Sequence, residues 1–300
     1  DTRTKLLTKE AWESKRAAFC RSFGHSQEVE ITFDKLKSQL DIAYHQAANH
    51  FAHNEAIRIE EKNKKPSLVL TPLDENKEPD SLIKLRERVA SLLPRIDLTE
   101  ILLEINAHTG FTEAFTHITE SRSRIDHLPV SVSAVLIAEA CNIGLEPLVQ
   151  PSNSILSRDR LSWVQQNYFR AETLVQANAA LVDYQSKIPL SKVWGGGEVA
   201  SADGLRFVTP LRTINAGYNP KYFGLKKGIT YYNYTSDQFT GFHGIVIPGT
   251  LKDSIYILEG LLEQQTSLQP SELMADTAGA SNLIFGLFWL VGHQFSPRLA

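Results

Sequence analysis

Two aspartates lie in extended segments of the sequence, where a carboxylate is unusual. Asp203 falls within the segment Glu198 to Val208, which follows three glycines and ends before Pro210, a pattern typical of a strand. Asp276 ends a second short extended run, and a turn follows it. Strands disfavour Asp because its short side chain competes with the ladder for backbone hydrogen bonds. Each aspartate is therefore either a structural turn residue or a functional one.

The elements around the two aspartates predict that they meet in the fold. Further strands and helices are predicted at residues 228–234 (strand), 242–248 (strand), 252–265 (helix), 282–291 (helix) and 293–299 (strand). The order strand-strand-strand-helix-strand-helix-strand is that of a ribonuclease-H-like mixed sheet, of the α+β or α/β class. Its first and fourth strands are neighbours, so Asp203 and Asp276 are expected to face each other.

A facing pair of carboxylates indicates a particular chemistry. Adjacent carboxylates repel each other unless a cation neutralises them. Mg²⁺ is held by one or two carboxylates together with phosphate oxygens of a substrate. Two such ions, about 3.5 to 4 Å apart, can activate a water or a 3′-hydroxyl and stabilise the leaving oxygen. The pair therefore predicts a two-metal site for phosphoryl transfer.

Basic and aromatic residues alternate in the region between the two aspartates. Residues 201–250 contain five basic residues against two acidic ones, and six of the aromatic residues are Tyr218, Tyr222, Phe223, Tyr231, Tyr232 and Tyr234. The basic residues are Arg206, Arg212, Lys221, Lys226 and Lys227. This mixture suits phosphate contacts and base stacking, so these five are predicted to contact DNA. A solvated sheet edge with core tyrosines is the alternative.

The first 193 residues are predicted to be mainly helical. Helices are predicted at residues 9–23, 33–51, 80–93, 98–107, 131–143 and 158–185, and a β-hairpin at 55–71. Prolines near residues 94 and 189 divide the chain into three segments, 1–94, 95–193 and 194–300.

Composition restricts the class of protein. The 300 residues are 42% hydrophobic and 22% charged, as in ordinary soluble globular proteins. A net charge of −3 gives the whole chain no general attraction to nucleic acid. Cys20 and Cys141 are isolated, so neither a disulfide framework nor a zinc ribbon is supported, and a reducing cytoplasm is expected. No apolar run reaches the length of a membrane span, so neither a membrane segment nor a signal peptide is expected.

Two other patterns have simpler explanations. His45, His50 and His53 lack the spacing of a metal-binding helix, so we interpret them as polar surface positions. The glycines at residues 195–197 lack the G-K-[ST] ending of a phosphate-binding loop, so they predict a turn.

Three longer runs resemble a known family. They are D-T-A-G-A-S-N-L-I-F-G-L-F-W-L-V-G-H-Q-F-S-P-R-L from Asp276, G-G-E-V-A-S-A-D-G-L-R-F-V from Gly196 and N-A-H-T-G-F-T-E-A-F-T-H from Asn106. They resemble the replicative transposases of the Tn-three family, large bacterial enzymes of the DD(E/D) class. The resemblance covers residues 97–300 closely and the preceding part more loosely.

The resemblance implies a function and a set of partners. Asp203 and Asp276 match the first two catalytic aspartates and would hold Mg²⁺, with Mn²⁺ as a substitute. The implied activity is cleavage at transposon ends to free 3′-hydroxyls, followed by their transfer into target DNA. The implied partners are transposon-end inverted-repeat DNA, target DNA and a second copy of the full-length protein, in the bacterial cytoplasm at the nucleoid. Segment 1–94 would serve DNA contact and dimerisation, 95–193 would be a helical linker, and 194–300 would be the catalytic domain.

The family's third acid has no match in this chain. It is a Glu on a helix beyond the second aspartate, whereas Glu259 and Glu263 precede Asp276. Because the chain begins with Asp1 and stops at Ala300, we expect a fragment that is inactive alone.

The chain also departs from the family at three positions. Ala275 stands where Thr is usual, His108 where Trp is common and Asn282 where Asp is frequent. Only Ala275 adjoins the predicted site.

Two other functions compete with this interpretation. One is a non-catalytic DNA-binding or dimerisation module with the same fold. The other is an actin-like ATPase, which would need a second glycine-rich phosphate-binding turn in a duplicated domain, and the sequence contains none.

Overall fold

A computed structural model describes residues 7–62, 64–71, 77–119, 125–210, 213–249 and 253–298. The chain divides into two compact units, one of residues 1–91 with 290–292 and 300, and one of residues 92–289 with 293–299. Within the described ranges, none of the helices combines the length and apolar character needed to cross a bilayer.

The first unit consists of helices and one hairpin. Its elements are α1 (Lys9–Ser22), α2 (Val29–Phe51), β1 (Ile57–Lys62), β2 (Lys65–Leu70) and α3 (Asp80–Leu92). The Thr8 hydroxyl accepts a hydrogen bond from the N–H of Ala11 at 3.2 Å and so caps α1. β1 and β2 pair antiparallel. The helices and the hairpin expected in this region are confirmed.

The second unit begins with a group of helices. They are α4 (Leu98–Thr109), α5 (Leu128–Ala140), α6 (Arg158–Tyr168), α7 (Ala171–Gln185) and α8 (Ser191–Trp194). Gly110 ends α4 in the left-handed conformation, with φ 66°, which glycine adopts without strain. The helices enclose a core around Val132, Val135, Leu161 and Val164, all fully buried.

The single helix expected over residues 158–185 is wrong, because two side-chain contacts separate α6 from α7. The Thr173 hydroxyl donates to the carbonyl of Tyr168 at 2.8 Å, which occupies a carbonyl that a continuous helix would use. The Arg170 guanidinium donates to the carbonyl of Thr116 at 2.8 Å. The chain therefore turns at residues 169–170 and starts a new helix.

A mixed sheet forms the rest of the second unit. Its strands are β3 (Val199–Val208), β4 (Gly217–Tyr218), β5 (Lys227–Ser236), β6 (Gly241–Pro248), β7 (Glu272–Ala275) and β8 (Gln294–Pro297). The short helix α9 (Pro220–Phe223) lies between β4 and β5, α10 (Glu259–Glu263) between β6 and β7, and α11 (Asn282–Leu290) between β7 and β8.

The strand order places β3 between β5 and β7 in the middle of the sheet. β5 pairs antiparallel with β3, β4 and β6, whereas β7 lies parallel to β3 and β8 parallel to β7. The first long strand, β3, is therefore the neighbour of β7, as the element order predicted.

One face of this sheet carries a second core. Its fully or largely buried residues are Ala200, Ala202, Tyr232, Tyr234, Leu273 and Ala275, which alternate along β3, β5 and β7, together with Ile284 and Phe288 of α11. Alternation along neighbouring strands leaves the intervening residues, Asp203 among them, on the opposite face.

The helix expected over residues 252–265 is interrupted. Its observed parts are a 3₁₀ turn at Asp253–Tyr256 and the short α10. In a continuous helix the carbonyl of Tyr256 accepts from the N–H of Gly260. Here the Tyr234 hydroxyl donates to that carbonyl at 2.5 Å instead. Gly260 also leaves no space for a side chain, since a Cβ would lie 2.2 Å from Cζ of Tyr234.

Candidate active site

Asp203 and Asp276 lie side by side at the end of the pairing between β3 and β7. The last paired residues of these parallel strands are Ala202 and Ala275, and each is followed by one of the aspartates. Neighbouring strands are about 4.8 Å apart, so the two aspartates start from adjacent backbone positions.

Both aspartates point away from the buried core. Ala202 and Ala275 are buried, and the next residue on each strand faces the other way. Asp203 and Asp276 are both exposed. The carboxylates are therefore open to solvent on one face of the sheet, where a ligand can reach them.

Backbone hydrogen bonds orient each carboxylate. Oδ1 of Asp203 accepts from the N–H of Gly204 at 2.7 Å. Oδ1 of Asp276 accepts from the N–H of Gly279 at 2.9 Å, which caps the 3₁₀ turn Thr277–Gly279. In the described part of the chain, Oδ2 of each aspartate has no hydrogen-bond donor.

A third carboxylate, Asp253, lies beside β3 at Gly204, where a Cβ would be 3.4 Å from its Oδ2, on the face opposite to Asp203. Burial raises the pKa of Tyr232, and neighbouring Tyr234 and then Asp253, Asp276 and Asp203 raise it further. All three carboxylates are therefore within electrostatic reach of the Tyr232 hydroxyl, which stays protonated. Sequence reasoning missed Asp253, because it belongs to the segment that was expected to be a plain helix.

Arg206 neutralises Asp253 rather than the predicted pair. Its Nη2 lies 2.7 Å from Oδ2 of Asp253, and its guanidinium lies 4.0 Å from the ring centroid of Tyr222. The side chain of Asp253 is mostly buried. Arg206 thus links β3 to α9 and to the 3₁₀ turn that follows β6.

The other described basic residues lie beyond the C-terminal end of β3, which is the end opposite to its pairing with β7. Lys221 Nζ is 5.0 Å from the ring of Tyr222, and Lys227 Nζ is 5.1 Å from the ring of Tyr218. Lys226 is exposed beside Lys227. Arg212, the fifth predicted DNA contact, lies outside the described residues.

The other candidate motifs take ordinary structural roles. Nδ1 of His50 lies 2.8 Å from the carbonyl of Gln46, and His45 lies 3.8 Å from Asp41. The N–H of Gly197 donates to Asp237 at 2.8 Å, so the glycine run packs against the end of β5. Among the residues with described positions, no three His, Cys, Asp or Glu side chains are grouped so that they could hold a metal ion.

Comparison with known proteins places the chain in a family. Residues 100–300 match the family model described as Tn3 transposase DDE domain. The chain is 57% identical over all its 300 residues to the transposase for transposon gamma-delta of Escherichia coli strain K12, of which it covers 30%. It is 38% identical over the same length to the transposase for transposon Tn4556 of Streptomyces fradiae, of which it covers 33%.

A third relative is matched over a shorter range. The transposase for transposon Tn3926 of Escherichia coli is 36% identical over 233 residues, which is 77% of this chain and 23% of that protein. The chain spans about a third or less of the length of these curated relatives. Because the family model covers two thirds of the sequence, including both aspartates, the chain belongs to the family of Tn3 transposase DDE domains.

Proposed function

We propose that this chain is part of a DNA transposase and contributes two of its catalytic carboxylates, Asp203 and Asp276. The observation that carries the proposal is their position, each directly after the last paired residue of two adjacent parallel strands. Membership of the transposase family supports it independently.

The sheet supports a ribonuclease-H-like architecture for residues 194–300. Three antiparallel strands, β6, β5 and β3, are followed by two parallel ones, β7 and β8. We retain the division of the preceding chain into a DNA-contact and dimerisation segment, 1–94, and a helical linker, 95–193.

The donor set fits a divalent cation. Both residues are carboxylates, the hard oxygen ligands that Mg²⁺ prefers, and Mn²⁺ can substitute for it. In each carboxylate Oδ1 is held by a backbone N–H, so Oδ2 is the oxygen that would bind a cation. The chemistry supplied by such a cation is neutralisation of the pair and polarisation of a phosphodiester. The third acid of the site would come from outside these 300 residues.

The proposed reaction has two displacements at phosphorus. Water first attacks a phosphodiester at each transposon end, so that one P–O bond forms, another breaks and a 3′-hydroxyl is released. That hydroxyl then attacks a phosphodiester of target DNA, so that a P–O bond to the transposon end forms, a P–O bond of the target strand breaks and a target 3′-hydroxyl leaves. Asp203 and Asp276 would hold the cation beside the reacting phosphate, and a homodimer of the full-length protein would place two such sites on the two ends.

Basic residues near the sheet would hold the DNA backbone. Lys221, Lys226 and Lys227 are the strongest candidates, because none of them has a carboxylate partner among the described residues. Arg206 is a weaker candidate, since Asp253 compensates its charge. Arg212 remains a prediction from sequence.

A titration with Mn²⁺, followed by electron paramagnetic resonance, tests the carboxylate pair. We expect weak binding by the chain, loss of that binding in Asp203→Asn and in Asp276→Asn, and a single soaked Mn²⁺ in contact with both residues in a crystal. Glu272→Gln is the matched control, because Glu272 lies on β7, on the same face as Asp276.

Two results would contradict the proposal in different ways. Binding of Mn²⁺ that neither aspartate variant reduces would show that the pair is not the site. DNA binding with no Mn²⁺ at the pair would favour a non-catalytic DNA-binding module instead.

A further inference from the structure

A second concave site lies at the far end of β3 from its pairing with β7. It is a cavity of about 640 Å³, with an apolar wall from Val208, Pro210 and Leu225 and a polar side formed by Tyr218, Lys226 and Lys227. Its volume falls in the range of about 300 to 1,000 Å³ that is typical of small-molecule sites. The space is therefore large enough for one nucleotide.

The walls of this cavity are fixed by backbone contacts. Tyr218 pairs with Lys227 in the sheet, and the N–H of Thr209 donates to the carbonyl of Lys227 at 2.9 Å. The buried ring of Phe223 lies against Gly228, where a Cβ would be 2.4 Å from it, and so anchors the turn that leads to Leu225. Backbone contacts thus hold the strand ends and the turn that carry the side chains of the cavity.

Two features of the rim are suited to nucleic acid. The ring of Tyr218 is more than half exposed, and the ammonium group of Lys227 lies 5.1 Å from its centroid. Leu225 is 98% exposed at the turn after Gly224, directly before the two lysines. An exposed aliphatic side chain next to cationic groups can insert between base pairs while the cations hold the phosphates.

We propose that this cavity receives a single unpaired nucleotide of the bound DNA. Leu225 enters the base step, Tyr218 stacks on the base that leaves it, and Lys226 and Lys227 contact the phosphate. The inference rests on the proposed function in DNA processing and specifies which form of DNA the chain prefers.

A fully paired duplex would not use this site. In a duplex the apolar faces of the bases are covered by their neighbours, so only phosphates could reach the lysines and the apolar wall would stay unfilled. An unpaired nucleotide offers both a base face and a phosphate, which matches both sides of the cavity.

The cavity is separate from the two aspartates. Val208 is five residues along β3 from Asp203, which is roughly 17 Å at about 3.3 Å per residue. The nucleotide that enters the cavity is therefore not the one whose phosphodiester reacts.

Competition between two DNA duplexes tests the inference with the 300-residue chain. One duplex is fully paired, and the other has the same sequence with one extra, unpaired nucleotide at its centre. Because stacking of one base on an aromatic ring contributes on the order of tenfold in affinity, we expect the bulged duplex to bind about tenfold more tightly. Tyr218→Ala should reduce that preference to near one, and Leu225→Ser should weaken the bulged duplex more than the paired one.

Control variants separate the possible failures. Val193→Ser removes another exposed aliphatic side chain, 77% exposed on α8 and outside the cavity, and should leave the preference unchanged. Lys226→Gln combined with Lys227→Gln should weaken the binding of both duplexes and reduce the salt dependence of that binding.

Equal binding of both duplexes by the unmodified chain, or a preference that survives Tyr218→Ala, would overturn the inference and leave the proposed function standing. No binding of either duplex would count against the proposed function itself.

Discussion

Two neighbouring rows of side chains cross the sheet and have opposite characters. The first row contains His243, Tyr234, Ala202 and Ala275, which are paired across β6, β5, β3 and β7, and all four are buried. The next row contains Gly244, Asn233, Asp203 and, directly after β7, Asp276, all exposed or half-buried. One step along each strand thus separates the core from the candidate active site.

The difference between the rows shows that one face of the sheet stabilises the fold while the other presents the candidate catalytic residues. Because successive side chains of a strand point to opposite faces, the buried row can hold the backbone in place while the next row displays its carboxylates. The rigid part of the fold therefore lies immediately beside the residues whose positions matter most for chemistry.

Placing a charge in the buried first row should have the largest effect on the free energy of unfolding. Ala202→Asp places a carboxylate where the side chain is 3% exposed, and burying an unpaired charge should cost about 4 kcal/mol or more. Asp203→Ala, one residue further, should change the free energy of unfolding by only about 0.5 kcal/mol, as is usual for exposed positions. Urea unfolding, followed by near-ultraviolet circular dichroism of the tyrosines, measures both.

The outcome for Ala202→Asp distinguishes the two rows directly. If it unfolded at the same urea concentration as Asp203→Ala, the first row would not be a core and the contrast would fail.

A smaller effect is expected from the Tyr234 hydroxyl. Tyr234→Phe removes the hydroxyl that donates to the carbonyl of Tyr256, and should cost about 1 to 3 kcal/mol because that carbonyl is left without this partner. Tyr231→Phe is the matched control on the same strand, since Tyr231 faces the other side of the sheet and is partly exposed. Thermal unfolding of the two variants should differ by several degrees, and equal melting temperatures would contradict a stabilising role for this hydrogen bond.

Much of the sheet could be predicted from local sequence. The alternation around Tyr232 and Tyr234 and the turn residues beside each strand predict the strands, and the element order predicts that β3 adjoins β7. The proximity of Asp203 and Asp276 follows from that order alone. Their proposed roles come from the family, because two exposed aspartates have no local pattern that distinguishes ligands from turn residues.

The two incorrect helix predictions, for residues 158–185 and 252–265, share one physical cause. The break between α6 and α7 depends on Arg170 contacting Thr116, and the break before α10 depends on Tyr234 reaching Tyr256. In each case a side chain contacts a backbone carbonyl that is distant in the sequence, and helical periodicity does not reveal such a contact. The pairing of Asp253 with Arg206 was missed for the same reason.

The smallest predicted effect is a pH dependence of the free energy of unfolding, which arises from His243 in the buried first row. His243 is 8% exposed, its ring lies 5.6 Å from that of Tyr234, and neither ring nitrogen has a hydrogen-bond partner among the described residues. Burial lowers the pKa of His243, although nearby Glu263 opposes the shift. The unfolded chain, with a histidine pKa of about 6.5, therefore takes up the proton first as the pH falls. The stability contributed by neutral His243 is fully present above about pH 6.5 and decreases below it, by at most about 1.4 kcal/mol per pH unit, until the folded protein is protonated as well.

Urea midpoints between pH 7.5 and 5 should show this decrease in the unmodified chain and in His108→Leu, which changes an exposed histidine. The decrease should be smaller in His243→Leu. An identical pH dependence in all three would mean that His243 already binds its proton in the folded state, and that the first row tolerates charge as readily as the second.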